Sequence, residues 1–231
     1  MMADHSPITT LTVFQFSGRL RRLWAFAQMG LARPLLRNVP GLRFHRLMGM
    51  GRGIGFSALP DPGRYAVLGV WESHADARRF LDDSRFIRRY RRHAAAVATV
   101  ALATISAHGT WGGSNPFLPI SSRSEDPSGP VAVLTRARIR LSRLRAFWSF
   151  VAPVRAELAA ADGLQTSVGV GEAPLILQAT FSIWRDVAAM EAFAYRMGDH
   201  REAVRRTRDE GWYAEELFAR FAVVERSEIF P

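Results

Sequence analysis

The chain has 231 residues, of which 48% are hydrophobic and 23% are charged, and its net charge at pH 7 is +10. This composition is typical of a folded globular protein and excludes a disordered one. The chain contains no cysteine, which excludes disulfides, thiolate nucleophiles and cysteine-ligated iron centres. No apolar run reaches the roughly 18–20 residues that span a bilayer, and the first residues lack a signal-peptide pattern, so we expect a cytoplasmic protein.

The predicted elements occur twice along the chain. One copy runs from about Leu11 to His108 and the other from Val131 to Phe230. Each copy reads strand, helix, strand, strand, helix, strand, because β-branched and apolar runs bounded by Gly or Pro alternate with segments of helical apolar spacing. A repeat of this length indicates a pair of half-domains, since solenoid repeats have periods of roughly 20–50 residues.

The two copies differ by one short insertion. Gly49 and Gly169 lie 120 residues apart, whereas Trp71 and Trp184 lie only 113 apart. The first copy therefore carries extra residues between these anchors, in the segment R52-G-I-G-F-S-A-L-P-D-P-G.

The element order predicts an α+β fold made of two tandem ferredoxin-like repeats, βαββαβ twice. Each repeat forms a four-stranded antiparallel sheet with both helices on one face. The other face is apolar, so we expect the two sheets to close into a barrel with the helices outside. The predicted halves are residues 8–113 and 131–231, joined by a Ser- and Pro-rich linker at 114–130.

His200 is the best candidate for a metal ligand. Asp199 is typical of a helix N-cap and Glu202 of its capping-box partner, so His200 lies in a first helical turn. A helix N-terminus disfavours the imidazolium, and the neutral imidazole is the form that ligates metal. The alternative is a structural histidine, in which case His108 and His45 are the next candidate ligands.

The first copy lacks this histidine. Ser84 corresponds to Asp199 as a helix cap, which sets Arg85 against His200. If His200 is a ligand, the chain therefore holds one cofactor, in its second half.

A dense aromatic segment follows, E210-G-W-Y-A-E-E-L-F-A-R-F, which we expect to continue the helix up to a final strand beginning at Val223. Its aromatic members are Trp212, Tyr213, Phe218 and Phe221. They indicate either core packing or the wall of a large apolar pocket. Glu215 and Glu216 are adjacent and diverge on a helix, so we assign them no catalytic role.

Two basic runs, R85-F-I-R-R-Y-R-R-H and R201-E-A-V-R-R-T-R, account for much of the positive charge. Such runs neutralise phosphates, but a solvated helix face is the simpler interpretation. Contact with an anionic membrane surface or an acidic electron-transfer partner is favoured over nucleic acid. The G49-M-G-R-G-I-G spacing is not followed by a βαβ unit with an acidic residue, so no dinucleotide site is expected.

Four segments in order resemble the spheroidene monooxygenase family of carotenoid biosynthesis. They are R22-L-W-A-F-A-Q-M-G, G109-T-W-G-G-S-N-P-F, G171-E-A-P-L-I-L-Q-A-T-F-S-I-W-R-D and H200-x-x-A-x-R-R-T-x-x-E-G-W-Y-A-E-E-L-F-A-R-F. The resemblance extends from Leu11 to about Val224, nearly the whole chain.

The resemblance implies a haem-containing oxygenase that uses O₂ and electrons from a reduced ferredoxin-type donor. Its reaction oxidises C-2 of acyclic carotenoids such as spheroidene to 2-hydroxy and 2-keto products. The family is similar to the dimeric α+β-barrel group, whose haem-binding members carry the proximal histidine on a helix of the second half. His200 matches that position as ligand of a b-type haem.

Further site residues follow from this resemblance. Trp212, Tyr213 and Phe218 are expected to line the haem pocket, and Arg136 to bind a propionate, together with Arg138 on the same strand. A carotenoid resides in membrane, so we expect peripheral contact with the inner or photosynthetic membrane, aided by the segment F117-L-P-I. A haem lyase or dehydratase, a haem carrier without turnover and a nucleic-acid-binding protein are the alternatives.

Overall fold

The computed structural model describes residues 6–118, 128–196, 202, 205–207, 209–228 and 230. Its strands are β1 (Ile8–Gln15), β2 (Leu42–Gly51), β3 (Pro60–Trp71), β4 (Ala96–Gly109), β5 (Val131–Ile139), β6 (Leu164–Ala173), β7 (Leu177–Trp184) and β8 (Tyr213–Arg226). Its longer helices are α1 (Arg19–Leu31), α2 (His74–Asp83), α3 (Arg85–Arg91), α4 (Leu144–Ala159) and α5 (Val187–Arg196). None of the helices in this part of the chain is long and apolar enough to cross a membrane.

The strands form one closed sheet. They are hydrogen-bonded in the order β1-β3-β2-β6-β7-β5-β8-β4, and β4 returns to β1. β1 lies antiparallel between β3 and β4, and β5 lies antiparallel between β7 and β8. The prediction of an α+β fold with a closed barrel is confirmed.

The chain divides into two compact units. The first comprises Met1–Met50, Asp61–Thr104 and Val223–Pro231, and the second comprises Gly51–Pro60 and Ile105–Ala222. Residues 52–60 of the inserted segment thus fold with the second unit, and the last residues fold with the first. The sequence-based boundaries of the two halves stay a prediction.

In the first unit, a continuous apolar core covers the helix-facing side of β1 and β3. The ring of Phe14 lies 6.1 Å from Phe86 and 4.7 Å from Tyr90, both on α3. The cap of α3 is Ser84, whose hydroxyl accepts the N–H of Ile87 at 3.1 Å. The local sequence therefore starts α3 where its aromatic side chains can reach the sheet.

In the second unit, the helix-facing core is split in two. One cluster forms around Val131 and Val133 and includes residues of α4 and α5. The other forms around Ala137 and Ile139 and packs against α4. Thr135 lies between the two clusters and is half-buried. The middle of this face therefore lacks the continuous apolar packing of the first unit, within the part of the chain described.

The pairings fix where β1 and β5 begin. β1 begins at Ile8, whose partner is Trp71, and β5 begins at Val131, whose partner is Trp184. Each of the two strands therefore begins opposite a tryptophan.

The last strand is also longer than predicted. β8 begins at Tyr213 instead of Val223, so the aromatic segment is a strand and the predicted helix there is wrong. Leu217 and Phe221 are buried on the same face of β8. Burial at every second position is the strand period, and the pairing with β5 imposes it over the local helical spacing.

The inserted segment packs onto the second unit between β6 and α4. The ring of Phe56 lies 5.3 Å from that of Phe147 on α4. Ile54 packs against the cluster around Val131. The carbonyl oxygen of Gly55 lies so close to Gly169 on β6 that a Cβ at Gly169 would overlap it. A glycine at 169 is therefore required for the segment to reach this position.

Gly169→Ala should lower the free energy of unfolding by about 1–3 kcal/mol, because the backbone of the inserted segment must move away from the new methyl group. Trypsin should then cleave more rapidly after Arg52, which is exposed within the segment. Urea unfolding and limited proteolysis measure the two effects. Gly49→Ala is the matched control, since a Cβ there meets nothing within 4 Å. Equal stability and cleavage in both variants would contradict this packing.

Candidate functional site

Partner residues in an antiparallel ladder point to the same face of the sheet. At the middle of β5, Thr135 pairs with Thr180 of β7 and with Phe218 of β8. Thr180 in turn pairs with Gly169 of β6. These four residues, which we call the central row, share the face on which Val133 packs with residues of α4 and α5. Phe218 is 37% exposed.

Small or polar side chains continue on both sides of the central row. They are Ser167, Gly171, Gln178, Ser182 and Ala137. Counted from the first residue of each strand, Phe14 of β1 occupies the position of Ala137 in β5. Their partners are Tyr65 of β3 and Gln178 of β7. The described side chains therefore fill this face less completely in the second unit.

The aromatic positions of α3 align with arginines in the later part of the sequence. Phe86 and Tyr90 of α3 cover the helix-facing side of β1. The sequence sets Arg201 and Arg205 against them. Arg205 is exposed, and its guanidinium donates to the carboxylate of Glu202 at 2.7 Å. Charged residues thus occur where the first copy has its aromatic plug.

Among the described residues, the buried Oγ of Ser167 and the buried Nε of Arg155 on α4 have no hydrogen-bond partner. The guanidinium of Arg155 lies against Gly53 of the inserted segment. A buried polar atom left unpaired costs about 1–3 kcal/mol. Such atoms indicate places where a ligand or an ordered water binds.

The structure leaves the predicted metal ligand untested. His200 lies outside the described residues. His45 is half-buried on β2, where burial, followed by the charge of Arg46, lowers the pKa of its imidazole. His108 is exposed near the end of β4. The described residues contain no group of three or more His, Asp or Glu that could hold a metal ion. A haem iron needs only one protein ligand, so this finding concerns multi-ligand sites alone.

Trp212 and Tyr213 pack on α4. The buried indole of Trp212 donates to Glu210 at 2.9 Å and lies 5.5 Å from the ring of Phe150. Tyr213 lies 6.0 Å from Phe147, and burial raises the pKa of its phenol to about 12. Both side chains belong to the core between β8 and α4, which is the packing interpretation of the aromatic segment.

The other two aromatic residues lie on opposite faces of β8. Phe218 belongs to the central row. Phe221 pairs with Ala132, is fully buried and lies edge-to-face with Phe117 at 5.1 Å. The structure therefore divides the predicted aromatic wall, and Phe218 is the member that is exposed on the face shared with α4.

A buried network of polar groups lies on the other face of β5. The guanidinium of Arg136 donates to a carboxylate oxygen of Glu215. The other oxygen of Glu215 accepts from the hydroxyl of Thr110 at 3.0 Å and from the N–H of Gly113 at 2.8 Å. The Arg136 guanidinium also lies 5.6 Å from the ring centre of Trp111. This buried network ties the 109–117 segment to β5 and β8.

Burial disfavours the charged form of Glu215, but its hydrogen bonds outweigh burial. The N–H of Gly113, the guanidinium of Arg136 and the hydroxyl of Thr110 together lower its pKa to about 2. The carboxylate is thus ionised at neutral pH. The indole of Trp111 makes a further bond, donating to Glu172 at 2.7 Å.

The sequence predicts a helix around Glu215, and on a helix this residue has no assigned role. On the strand, Glu215 shares a face with buried Leu217, whereas Glu216 is exposed. The alternation of apolar and polar residues along β8 is the signal that distinguishes the two carboxylates.

Glu215→Gln should lower the free energy of unfolding at neutral pH by about 3–5 kcal/mol, because Arg136 would keep a buried charge without its counter-charge. The folded-state pKa of Glu215 lies below its ordinary value of 4.5, so its stabilising contribution is present above pH 4.5 and is lost as the pH falls toward about 2. The difference in the free energy of unfolding between wild type and Glu215→Gln should therefore become smaller as the pH falls over that range. Urea unfolding at several pH values measures it.

Glu216→Gln provides the control, with an expected change within about 0.5 kcal/mol since the side chain is exposed. A wild-type–variant difference for Glu215 that stays constant between neutral pH and pH 3 would be inconsistent with the lowered pKa.

No protein-family model matches the chain. Among solved structures, a crystal structure of aldoxime dehydratase has a TM-score of 0.60 at 11% identity and covers 94% of this chain and 81% of its own. The complex of aldoxime dehydratase OxdRE with butyraldoxime has a TM-score of 0.58 at 14% identity, with 94% and 79% covered. At these identities the likeness shows the fold alone.

Curated relatives are much closer in sequence. The spheroidene monooxygenase of Rhodobacter capsulatus is 40% identical over 218 residues, which cover 94% of this chain and 90% of the relative. The spheroidene monooxygenase of Rubrivivax gelatinosus is 38% identical, over 87% of this chain and 76% of the relative. That of Cereibacter sphaeroides is 35% identical, over 93% and 66%. The chain belongs to the spheroidene monooxygenase family.

Proposed function

We propose that this protein is a haem-dependent monooxygenase of carotenoid biosynthesis. It oxidises C-2 of acyclic carotenoids such as spheroidene to 2-hydroxy and 2-keto products, with O₂ and electrons from a reduced ferredoxin-type donor. The observation that carries the proposal is the 40% identity to a spheroidene monooxygenase over 94% of the chain.

The fold is proposed to be a tandem repeat of one ferredoxin-like module, arranged as in dimeric α+β barrels. In support, β4-β1-β3-β2 and β8-β5-β7-β6 have the same order, fourth, first, third, second, within their halves. β1 and β5 also have equivalent registers from Ile8 and Val131. The halves at 8–113 and 131–231 and the linker at 114–130 are part of this proposal.

The face around the central row fits a haem. Thr180 and Thr135 are small, so a flat macrocycle can approach these strands closely beside the inserted segment that covers Gly169, and Phe218 offers an exposed apolar ring. The buried hydroxyl of Ser167 has no partner in the described structure and is available for a ligand. A bound haem supplies the binding and activation of O₂.

The roles of the protein residues follow from their positions. His200 is proposed as the residue that would hold the haem iron, and Phe218 as a residue that would contact the macrocycle. Trp212 and Tyr213 hold β8 against α4, so they support the site from its edge. Arg136 is paired with Glu215 on the opposite face of β5, and its predicted contact with a propionate is not supported by this placement.

Arg155 suits a propionate better. It lies on α4, on the helix side of the sheet, and its buried Nε has no partner among the residues that the structure describes. Its guanidinium also adjoins the inserted segment at Gly53. The inserted segment thus joins α4 as a wall of the proposed site.

The reaction balances with the components named. Each hydroxylation inserts one oxygen atom of O₂ into the C-2–H bond, and the other leaves as water after taking up two electrons and two protons. A second hydroxylation at the same carbon gives a geminal diol, which loses water to form the ketone. A lyase or dehydratase on the same fold would need neither O₂ nor an electron donor.

Titration of the purified protein with hemin should produce a Soret band with axial histidine character. His200→Ala should abolish that character, because it removes the proposed ligand. Thr180→Trp should weaken hemin binding by at least about tenfold, since a large side chain would fill the central row. Absorbance and resonance Raman spectra report both effects without any turnover.

His108→Ala and Ala156→Trp are the matched controls, because both positions are exposed away from the central row. Circular dichroism confirms folding of each variant. An unchanged histidine-ligated spectrum in His200→Ala rejects that ligand, and unchanged affinity in Thr180→Trp rejects the location.

Expression in a host that accumulates spheroidene should convert the pigment to 2-hydroxy or 2-keto products in air. Without oxygen the pigment should stay unchanged, because the inserted oxygen atom comes from O₂. Chromatography with mass spectrometry measures the conversion, and ¹⁸O₂ labels the product. Anaerobic turnover would instead indicate a lyase or dehydratase, and no turnover with hemin bound would indicate a haem carrier.

A further inference from the structure

The first unit exposes a row of large apolar side chains on α1. The exposed fractions are 82% for Leu20, 65% for Leu23, 70% for Phe26 and 66% for Leu31. Their spacing places them along one side of the helix. The opposite side buries Ala25 and Gln28 against the sheet. Side chains of this size and exposure on one helix indicate an interaction surface.

Positive charge surrounds this row. Between His5 and Pro60 the sequence contains eight arginines and neither aspartate nor glutamate. Arg19, Arg21 and Arg22 are exposed in the first turns of α1. The helix therefore combines an apolar side with cationic flanks.

α3 extends the positive charge beside α1. The indole of Trp24 on α1 stacks on His93 at 4.0 Å, and the guanidinium of Arg89 lies 5.9 Å from the Trp24 ring. Arg88 and Arg92 are exposed on the same short stretch. The basic run that begins at Arg85 thus lies next to the apolar row. We call the exposed residues of α1 and these arginines the α1 surface.

We propose that the α1 surface docks onto a bilayer that contains anionic lipids. A helix with an apolar side and arginines along its polar side lies in the plane of a membrane interface, with the apolar side chains among the acyl chains. The arginines bind the lipid phosphates. Of the F117-L-P-I segment, Phe117 is buried and Leu118 is 43% exposed, whereas residues 119–120 lie outside the described residues.

A bilayer fits this surface better than a second copy of the chain does. A symmetric dimer would place the same arginine-rich patch of both subunits in one interface, where like charges repel. An anionic lipid surface complements that charge and also accepts the apolar side chains. The inference rests on the α1 surface alone, so it does not depend on the proposed oxygenase activity.

Sedimentation with sucrose-loaded vesicles tests the proposal. The full-length protein should bind vesicles with about 30% phosphatidylglycerol more tightly than pure phosphatidylcholine vesicles, and about 0.5 M NaCl should weaken the binding. The double variant Leu23→Glu and Phe26→Glu should bind at least about tenfold more weakly, because it places carboxylates in the apolar row. Leu141→Glu, at a residue that is 71% exposed on the second unit, should bind like wild type.

Light scattering on the same proteins distinguishes membrane docking from self-association. A wild type that fails to bind the anionic vesicles, or a double variant that binds as well as wild type, would overturn the proposal. A wild-type dimer that the double variant converts to a monomer would instead assign the surface to self-association. Circular dichroism of the double variant, measured in parallel, shows that it is folded without reference to haem, which keeps this test separate from that of the oxygenase.

Discussion

The antiparallel register of β5 determines both polar regions of the second unit. Because β5 is paired on both edges, alternate residues are committed to opposite faces, Thr135 to the central row and Arg136 to the buried network. A shift of one residue would exchange the two faces. The buried ion pair with Glu215 opposes such a shift, since it would carry a charged side chain into the helix-facing core. The proposed haem face thus depends on a network that does not touch it.

The ladders of the two units carry different side chains on their helix-facing sides. The first unit packs Phe14 under the aromatic residues of α3, which gives a continuous apolar core. The second unit has Ala137 at the equivalent position and Thr135 between two separate clusters. Smaller and more polar side chains bury less apolar surface and so stabilise the fold less. Binding sites commonly have this lower stability because they leave room for a ligand. The inserted segment, absent from the second copy, contributes to the second unit by packing over Gly169.

Much of this arrangement could be predicted from local patterns. The glycine and tryptophan spacings revealed the insertion, and the alternation of strand and helix patterns gave the α+β barrel. β8 could not be predicted, because its strand form comes from pairing with β5, which is distant in sequence. The role of Glu215 was missed for the same reason, since a helix and a strand place its side chain on different sides. No local sequence pattern indicates that residues 52–60 pack on the second unit.

We expect the chain to bind one haem, on the helix-facing side of the second unit. A crystal structure of the hemin-loaded protein, with anomalous data at the iron absorption edge, tests it most directly. The account predicts one iron peak per chain, on the side of the sheet that carries Thr180 and Phe218. A peak over the equivalent face of β1, or peaks in both halves, would contradict it.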